Sequence, residues 1–261
     1  MTSPPLFRLA TTSFIYPDRI LPNVEKLGPG FDEIELLVFE STPLQVLPSA
    51  EEIRVLAAYK ERFELTYNVH LPLDISLTDP CAEKREAAVD AMVRIMELCS
   101  PLTPSTYTLH LDFHGSENRP EDVRDFRRNA SDSLDRLTGS IPSPGLVSVE
   151  TLNYPFSYAA PLVEKYNLSV CADFGHLVKY GYGVGDFFEQ WAPKITIVHL
   201  HGVDFSTNPP IDHVQLNRLP DPAAREIMEV LRHFTGVVSL EVFNREYLDA
   251  SLAFLSHYYT V

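Results

Sequence analysis

The chain has 261 residues, of which 45% are hydrophobic, so it can bury a large core, and a single domain over residues 1–261 is expected. Its formal net charge of −15, from 36 acidic and 21 basic residues, disfavours a nucleic-acid partner because it repels phosphate backbones. No apolar run approaches the ~18 residues of a membrane span. Three widely spaced cysteines and an N-terminus unlike a secretion signal predict a cytoplasmic protein without a membrane partner.

Strand-like and helix-like segments alternate along the chain. Eight short runs are β-branched or aromatic and almost continuously apolar, as strands buried on both faces are. They cover 7–12, 33–39, 64–71, 106–112, 146–151, 168–173, 195–201 and 237–242. Helical periodicity covers 50–63, 81–100, 120–137, 157–167 and 222–234, and 203–220 is predicted as an irregular loop. The alternation predicts an α/β fold, a parallel (β/α)8 TIM barrel, rather than a doubly wound sheet, because no GxGxxG turn follows the first run.

Six of the eight runs carry a histidine or a carboxylate at or near their carboxyl end. Such side chains are costly to bury unless they are paired or coordinated. In a parallel barrel the strand ends converge, so the simplest common explanation is a metal site of imidazole and carboxylate ligands, suited to Zn, Mn, Co or Fe. The residues are His70, His110, Glu150, Asp173, His199 and Glu241.

Further candidates follow these strand ends. His176 comes three residues after Asp173 and begins a loop or a first helical turn, and His213 follows Asp212 in the long loop, where the pair can fold back as ligands or lie exposed. By strand alternation His201 shares a face with His199 but lies further out, which favours a contact with a ligand or with substrate. The candidate substrate contacts are Asp112, His114, Tyr180, Tyr182, His201 and Asp212; the two tyrosines, in a glycine-containing loop, are equally consistent with plain packing.

The order of these residues, in the contexts VHLP, LHLD, VET, CADFGH, VHLHG and LEV, resembles the xylose isomerase-like barrel superfamily and its type 2 AP endonuclease branch. The opening stretch TTSFIYPDRILPNVEKLGPGFDEIELLVFES is similar to the cobamide-remodelling phosphodiesterases of the CbiR type. The resemblance implies two or three divalent ions, zinc first among them. Glu150 would bridge one ion held by His70 and His110 and another held by Asp173, His199 and Glu241. A third would use His176 and an Asp-x-His pair, for which this chain has the adjacent Asp212 and His213.

Sugar isomerases and epimerases of this superfamily look similar at Glu150, Asp173, His199 and Glu241, which suffice for one metal and a proton shuttle between two glutamates. His70 and His110 add a second ligand pair, and paired metals suit phosphoryl displacement by a metal-bound water. The sequence therefore predicts hydrolysis of a cobamide nucleotide loop, with release of a cobinamide derivative and α-ribazole, and with Glu150 and Glu241 as catalytic residues. The alternatives are a single-metal ketose isomerase or epimerase and a non-catalytic barrel that binds a corrinoid or a sugar phosphate.

Overall fold

Eight parallel strands close into a barrel in the computed structural model, which describes residues 4–38, 40–41, 47–116 and 119–260. The barrel strands are β1 (Arg8–Thr12), β2 (Glu33–Leu37), β3 (Thr66–His70), β4 (Tyr107–Leu109), β5 (Val147–Glu150), β6 (Ser169–Asp173), β7 (Ile195–Leu200) and β10 (Val237–Leu240). Their order around the barrel is β1, β10, β7, β6, β5, β4, β3, β2. The (β/α)8 prediction is confirmed. The last residue of the predicted strand 33–39, Phe39, lies outside the described residues.

Helices surround the barrel and follow most of its strands. They are α1 (Ile20–Leu27), α2 (Ala50–Phe63), α3 (Ala82–Cys99), α4 (Pro120–Gly139), α5 (Ala160–Lys165), α6 (Phe174–Tyr180), α7 (Val184–Trp191), α8 (Asp221–Leu231) and α9 (Arg245–Leu255). The start of α2 is fixed by a capping box, in which Ser49 accepts from the amide of Glu52 and the Glu52 side chain accepts from the amide of Ser49. Within the described residues, none of these helices combines the length and the apolarity needed to cross a bilayer.

The barrel interior changes from apolar to polar toward the carboxyl ends of its strands. A small apolar cluster of Ala10, Cys171, Ile197 and Val237 is separate from the main core, which packs the strands against the helices. Two residues further along three of these strands, on the same face, come Asp173, His199 and Ser239, all fully buried. The interior therefore supports a polar layer at the end where barrel enzymes place their active sites.

The predicted irregular loop 203–220 is wrong in part, because it contains a hairpin of β8 (Gly202–Asp204) and β9 (Ile211–Val214). The two strands are antiparallel and pair Gly202 with Val214 and Asp204 with Ile211. Short strands of mixed polarity lack the long apolar run that identifies a barrel strand. The hairpin carries Asp212 and His213 back toward the barrel mouth.

Candidate metal centre

Four residues from four adjacent strands form one buried cluster at the carboxyl end of the barrel. Glu150 ends β5, Asp173 ends β6, His199 lies on β7 and Glu241 directly follows β10. One ligand atom from each lies within 4.8 Å of the others, and all four side chains are buried. The register pairs Asp173 with His199, which brings these two to the same level. We call these four residues the primary set.

Several polar atoms of the primary set lack hydrogen-bond partners although they are buried. His199 Nδ1 lies 3.2 Å from Glu241 Oε2, yet the angles are not those of a hydrogen bond, so both atoms are unsatisfied. The other ring nitrogen, Nε2, is also unsatisfied. Buried polar groups are nearly always satisfied, so unpartnered atoms that converge are expected where a cation binds. The primary set therefore fits a divalent metal.

His70 and His110 lie beside the primary set and contact it through one atom. His70 Nε2 is 3.2 Å and His110 Nε2 is 2.9 Å from Glu150 Oε2. His70 Nδ1 is 2.9 Å from the carbonyl oxygen of Leu71, which orients its ring. The three side chains form a further group that could hold a metal. They are equally well explained as two imidazoles that orient a single carboxylate by hydrogen bonds.

A second group shares Asp173 with the primary set and consists of Asp173, His176, His201 and His213. Asp173 is the N-cap of α6, since its Oδ1 accepts from the amide of His176 at 2.7 Å. His201 is fully buried, and its Nε2 lies 3.1 Å from Asp173 Oδ1. Its other ring nitrogen accepts from the amide of His213 at 3.0 Å. His213 has φ of 53°, a left-handed conformation that is unfavourable for a residue other than glycine.

The histidines and carboxylates shift each other's proton affinity. Burial alone would raise the pKa of Glu150, but His110 and His199 outweigh it and hold the pKa well below its usual range. Burial alone would lower the pKa of His176, yet Asp173 and Glu150 raise it to about 9. In the same way Glu241 and Asp212 outweigh burial and raise the pKa of His213 to about 11. In the metal-free protein the carboxylates are thus ionised and several imidazoles carry a proton.

The candidate substrate contacts do not all reach this centre. Asp112 and His114 line a cavity of 480 Å³ at the loops that follow β3 and β4. Tyr180 ends α6 with its ring 6.2 Å from that of His176, whereas Tyr182 lines a separate cavity between α5 and α7. Asp212 forms an ion pair with Lys179 at 2.5 Å and also reaches the second group, with Oδ1 3.4 Å from His213 Nδ1 and Oδ2 3.8 Å from His176 Nε2. His201 is too deeply buried for the substrate contact suggested from its position.

Sequence reasoning missed Glu35, a fully buried carboxylate on β2. Its Oε1 lies 2.9 Å from His199 Nε2. The run EIELLVF was interpreted as an apolar strand, but its two glutamates alternate and share one face. A charged residue inside a buried strand is expensive unless it is paired, so Glu33 and Glu35 carried a signal that could have been found.

Comparisons with known proteins agree with the barrel. A family model described as a xylose isomerase-like TIM barrel matches residues 23–258. A D-tagatose 3-epimerase-like protein matches with a TM-score of 0.76 at 18% identity, covering 97% of this chain and 97% of that chain. A probable 3-DHS dehydratase from Bacillus anthracis matches with a TM-score of 0.72 at 18% identity, covering 96% and 99%.

A 3-keto-D-glucoside 4-epimerase from E. coli matches with a TM-score of 0.70 at 18% identity, covering 96% of this chain and 99% of that chain. No curated protein matches the sequence.

The predicted hydrolysis of a cobamide phosphodiester is wrong. The matching structures described above are an epimerase, an epimerase-like protein and a probable dehydratase, which fit the alternative of a sugar epimerase or isomerase better than a phosphodiesterase. They likewise give no support to the narrower resemblance to the CbiR type. That prediction depended on His70 and His110 as ligands of a second metal, and both lie within hydrogen-bond distance of one oxygen of Glu150, so their position does not require a second ion.

Proposed function

Because the chain belongs to the xylose isomerase-like TIM barrel family, we propose that it is a metal-dependent epimerase or isomerase of a ketose or a keto-sugar derivative. The observation that carries the proposal is the primary set itself. Two buried glutamates, Glu150 and Glu241, stand at the two ends of an arc of four adjacent strands, with Asp173 and His199 between them. This arrangement provides one cation site and two carboxylates that can act on one bound substrate. The substrate is a small molecule.

The donor set indicates the kind of cation. Three carboxylates and one imidazole give an oxygen-rich site, and such sites suit Mn²⁺, with Co²⁺, Fe²⁺ and Zn²⁺ as further candidates. One ion satisfies the primary set, so we propose one ion per chain instead of the two or three implied by the family resemblance. When bound, the cation would polarise the substrate carbonyl and so acidify the neighbouring C–H bond.

The glutamates then move the proton. One carboxylate removes the proton from the carbon next to the carbonyl, and the electron pair of that C–H bond moves toward the carbonyl oxygen, giving an enediolate. The other glutamate draws a proton from the histidine beside it, His213 for Glu241 or His110 for Glu150, and gives that proton to the carbon on the opposite face. This inverts the centre without net oxidation or reduction. The low pKa of Glu150 and Glu241 keeps a carboxylate available as the base at neutral pH. The two exchange the roles of acid and base when the reaction runs in reverse.

The neighbouring histidines hold this machinery in place. His110 and His70 donate to Glu150 Oε2, which fixes the orientation of the carboxylate. Its other oxygen, Oε1, accepts from neither of these two histidines. Glu241 Oε2 lies 3.2 Å from His199 Nδ1 and 3.4 Å from His213 Nε2, where the two imidazoles attract it by charge without a hydrogen bond. Glu150 is therefore oriented by hydrogen bonds before substrate arrives, as efficient proton transfer requires.

Proton exchange tests the proposal directly. Protein loaded with Mn²⁺ is incubated in D₂O with ketopentoses, ketohexoses and a 3-keto-glycoside, and NMR follows deuterium at the carbon next to the carbonyl. We expect exchange and formation of the epimer with the wild type. We expect Glu150→Gln and Glu241→Gln to lose about 10²–10⁴-fold in rate, the usual contribution of general acid–base catalysis.

Glu229→Gln, on the exposed side of α8, is the control and should retain the wild-type rate. Wild-type protein that holds its metal but exchanges no proton in any of these substrates would contradict the proposed function.

A further inference from the structure

We infer that Glu35 is a positioning residue for His199, which it holds with Nδ1 facing the primary set. The inference rests on the proposed function only in needing a cation at that set. Glu35 lies on β2, outside the arc of strands that carries the primary set, and its carboxylate reaches across the barrel interior to β7. Neither the glutamate nor the histidine is exposed to solvent.

The two carboxylate oxygens of Glu35 have different partners. Oε1 lies 2.9 Å from His199 Nε2, and Oε2 accepts from the hydroxyl of Ser239 at 2.5 Å. Ser239 is paired in register with His199 on the neighbouring strand β10. The Ser239 hydroxyl therefore fixes the Glu35 carboxylate next to the His199 ring.

The opposite side of the same ring faces the primary set. His199 Nδ1 lies 3.2 Å from Glu241 Oε2 and 3.7 Å from Glu150 Oε2. An imidazole that binds a cation through one nitrogen carries its proton on the other, and a carboxylate partner for that N–H fixes both the tautomer and the ring orientation. Glu35 is the acidic side chain placed to receive the proton of Nε2 from His199.

The unsatisfied atoms support this assignment. Oε1 of Glu35 and Nε2 of His199 are at hydrogen-bond distance, but their angles are outside the hydrogen-bond range, so both lack a partner. If Nδ1 of His199 holds a cation, the proton of the ring is on Nε2, and Oε1 of Glu35 is the carboxylate oxygen within hydrogen-bond distance of it.

Glu33 provides a matched control on the same strand and the same face. It is also fully buried, but it contacts Arg8, Asn68 and Ser105 at 2.8, 2.9 and 2.6 Å, and none of these belongs to the primary set. Replacement of either glutamate by glutamine removes one buried carboxylate from β2. If loss of a buried carboxylate disturbs the whole barrel, metal affinity should fall in both variants. If the effect acts through His199, metal affinity should fall only in Glu35→Gln.

Metal affinity is the measurement. Metal-free protein, full length, is titrated with Mn²⁺ and with Zn²⁺ against a chromophoric chelator, for the wild type, Glu35→Gln, Ser239→Ala and Glu33→Gln. Loss of such a carboxylate partner typically weakens metal binding about 10–100-fold. We expect that loss in Glu35→Gln, a smaller loss in Ser239→Ala, and wild-type affinity in Glu33→Gln, with the number of ions per chain unchanged.

A second readout reports the ring itself. In the metal-loaded wild type, ¹⁵N NMR should show His199 protonated at Nε2, and Glu35→Gln should shift that resonance. If Glu35→Gln does not fold, Ser239→Ala still provides a test, because it keeps the Glu35 carboxylate and removes only the hydroxyl that donates to it. Equal metal affinity of the Glu35→Gln and Glu33→Gln variants would overturn the inference. Complete loss of the ion from Glu35→Gln, in place of a weaker affinity for it, would also overturn it. A wild type that binds no metal would instead refute the proposed function.

Discussion

Imidazoles and carboxylates balance each other in the centre, and this balance determines how the metal-free protein responds to pH. Glu150 contacts two histidines, and Glu241 lies between His199 and His213. Buried ions are tolerated only when they are paired. Without a metal, protons on the histidines supply the positive charge that the carboxylates require. With a metal, the cation takes over that function.

The pH dependence of the metal-free protein follows from this balance. His176 and His213 have pKa values of about 9 and about 11, above the ~6.5 of an unfolded histidine. A raised pKa gives stability that is complete below about pH 6.5 and is lost as the pH rises through the folded value. We therefore expect the free energy of unfolding in EDTA to fall between pH 6.5 and 9, as measured by urea denaturation.

His213→Gln should weaken that fall, because it removes one of the two titrating groups. His257→Gln, on the exposed C-terminal segment after α9, serves as its control and should behave like the wild type. An unchanged pH dependence in His213→Gln would show that His213 does not carry the proton.

At the residue scale the sequence predicted which strand ends converge, but not the contacts that surround them. Glu150, Asp173, His199 and Glu241 were identified because each ends a buried strand, where topology forces convergence. His201 and Asp212 were harder, because their surroundings depend on how a loop folds back. Periodicity within one strand cannot show which partner a side chain meets on another element.

At the element scale, the hairpin of β8 and β9 delivers His213 to the centre, and Gly202 controls its position. A Cβ at Gly202 would lie 2.0 Å from the carbonyl oxygen of Gln215, a backbone atom that cannot move away cheaply. The glycine is therefore required by close approach of two backbone segments. If the hairpin shifts, His213 loses its left-handed backbone conformation and the hydrogen bond from its amide to His201.

Gly202→Ala should accordingly lower the free energy of unfolding by about 1–3 kcal/mol, the usual cost of overpacking. It should also slow proton exchange, because Glu241 loses its contact with His213. Gly30→Ala is the control, since a Cβ there meets nothing within 4 Å. Equal stability and activity in the two variants would refute the role given to the hairpin.

The barrel elements themselves were predictable because their signals are local. All eight barrel strands were identified, and α2 was predicted with its observed bounds. The predicted helix 157–167 is instead a short 3-10 turn, Phe156–Tyr158, followed by α5, in which Pro161 lies in the first turn. Helices α1, α6, α7 and α9 were not predicted, and three of them have only seven or eight residues, too few for a clear period.

At the scale of the whole molecule, the fold could be deduced more securely than the reaction. Strand-and-helix alternation determines a barrel, and the strand ends determine where its polar residues meet. The same polar residues can hold one ion or several, and the sequence does not distinguish a ligand from a hydrogen-bond partner of a ligand. The prediction of hydrolysis was made at this step, from the interpretation of His70 and His110 as ligands of a second ion.

The number of metal ions per chain tests the central claim most directly. Elemental analysis of protein loaded with Mn²⁺ or Zn²⁺ and freed of excess metal is performed on the wild type, on a His70→Ala and His110→Ala double variant, and on His199→Ala. We predict one ion per chain in the wild type, one in the double variant and none in His199→Ala. Two or more ions in the wild type, with one lost in the double variant, would contradict a single-metal centre.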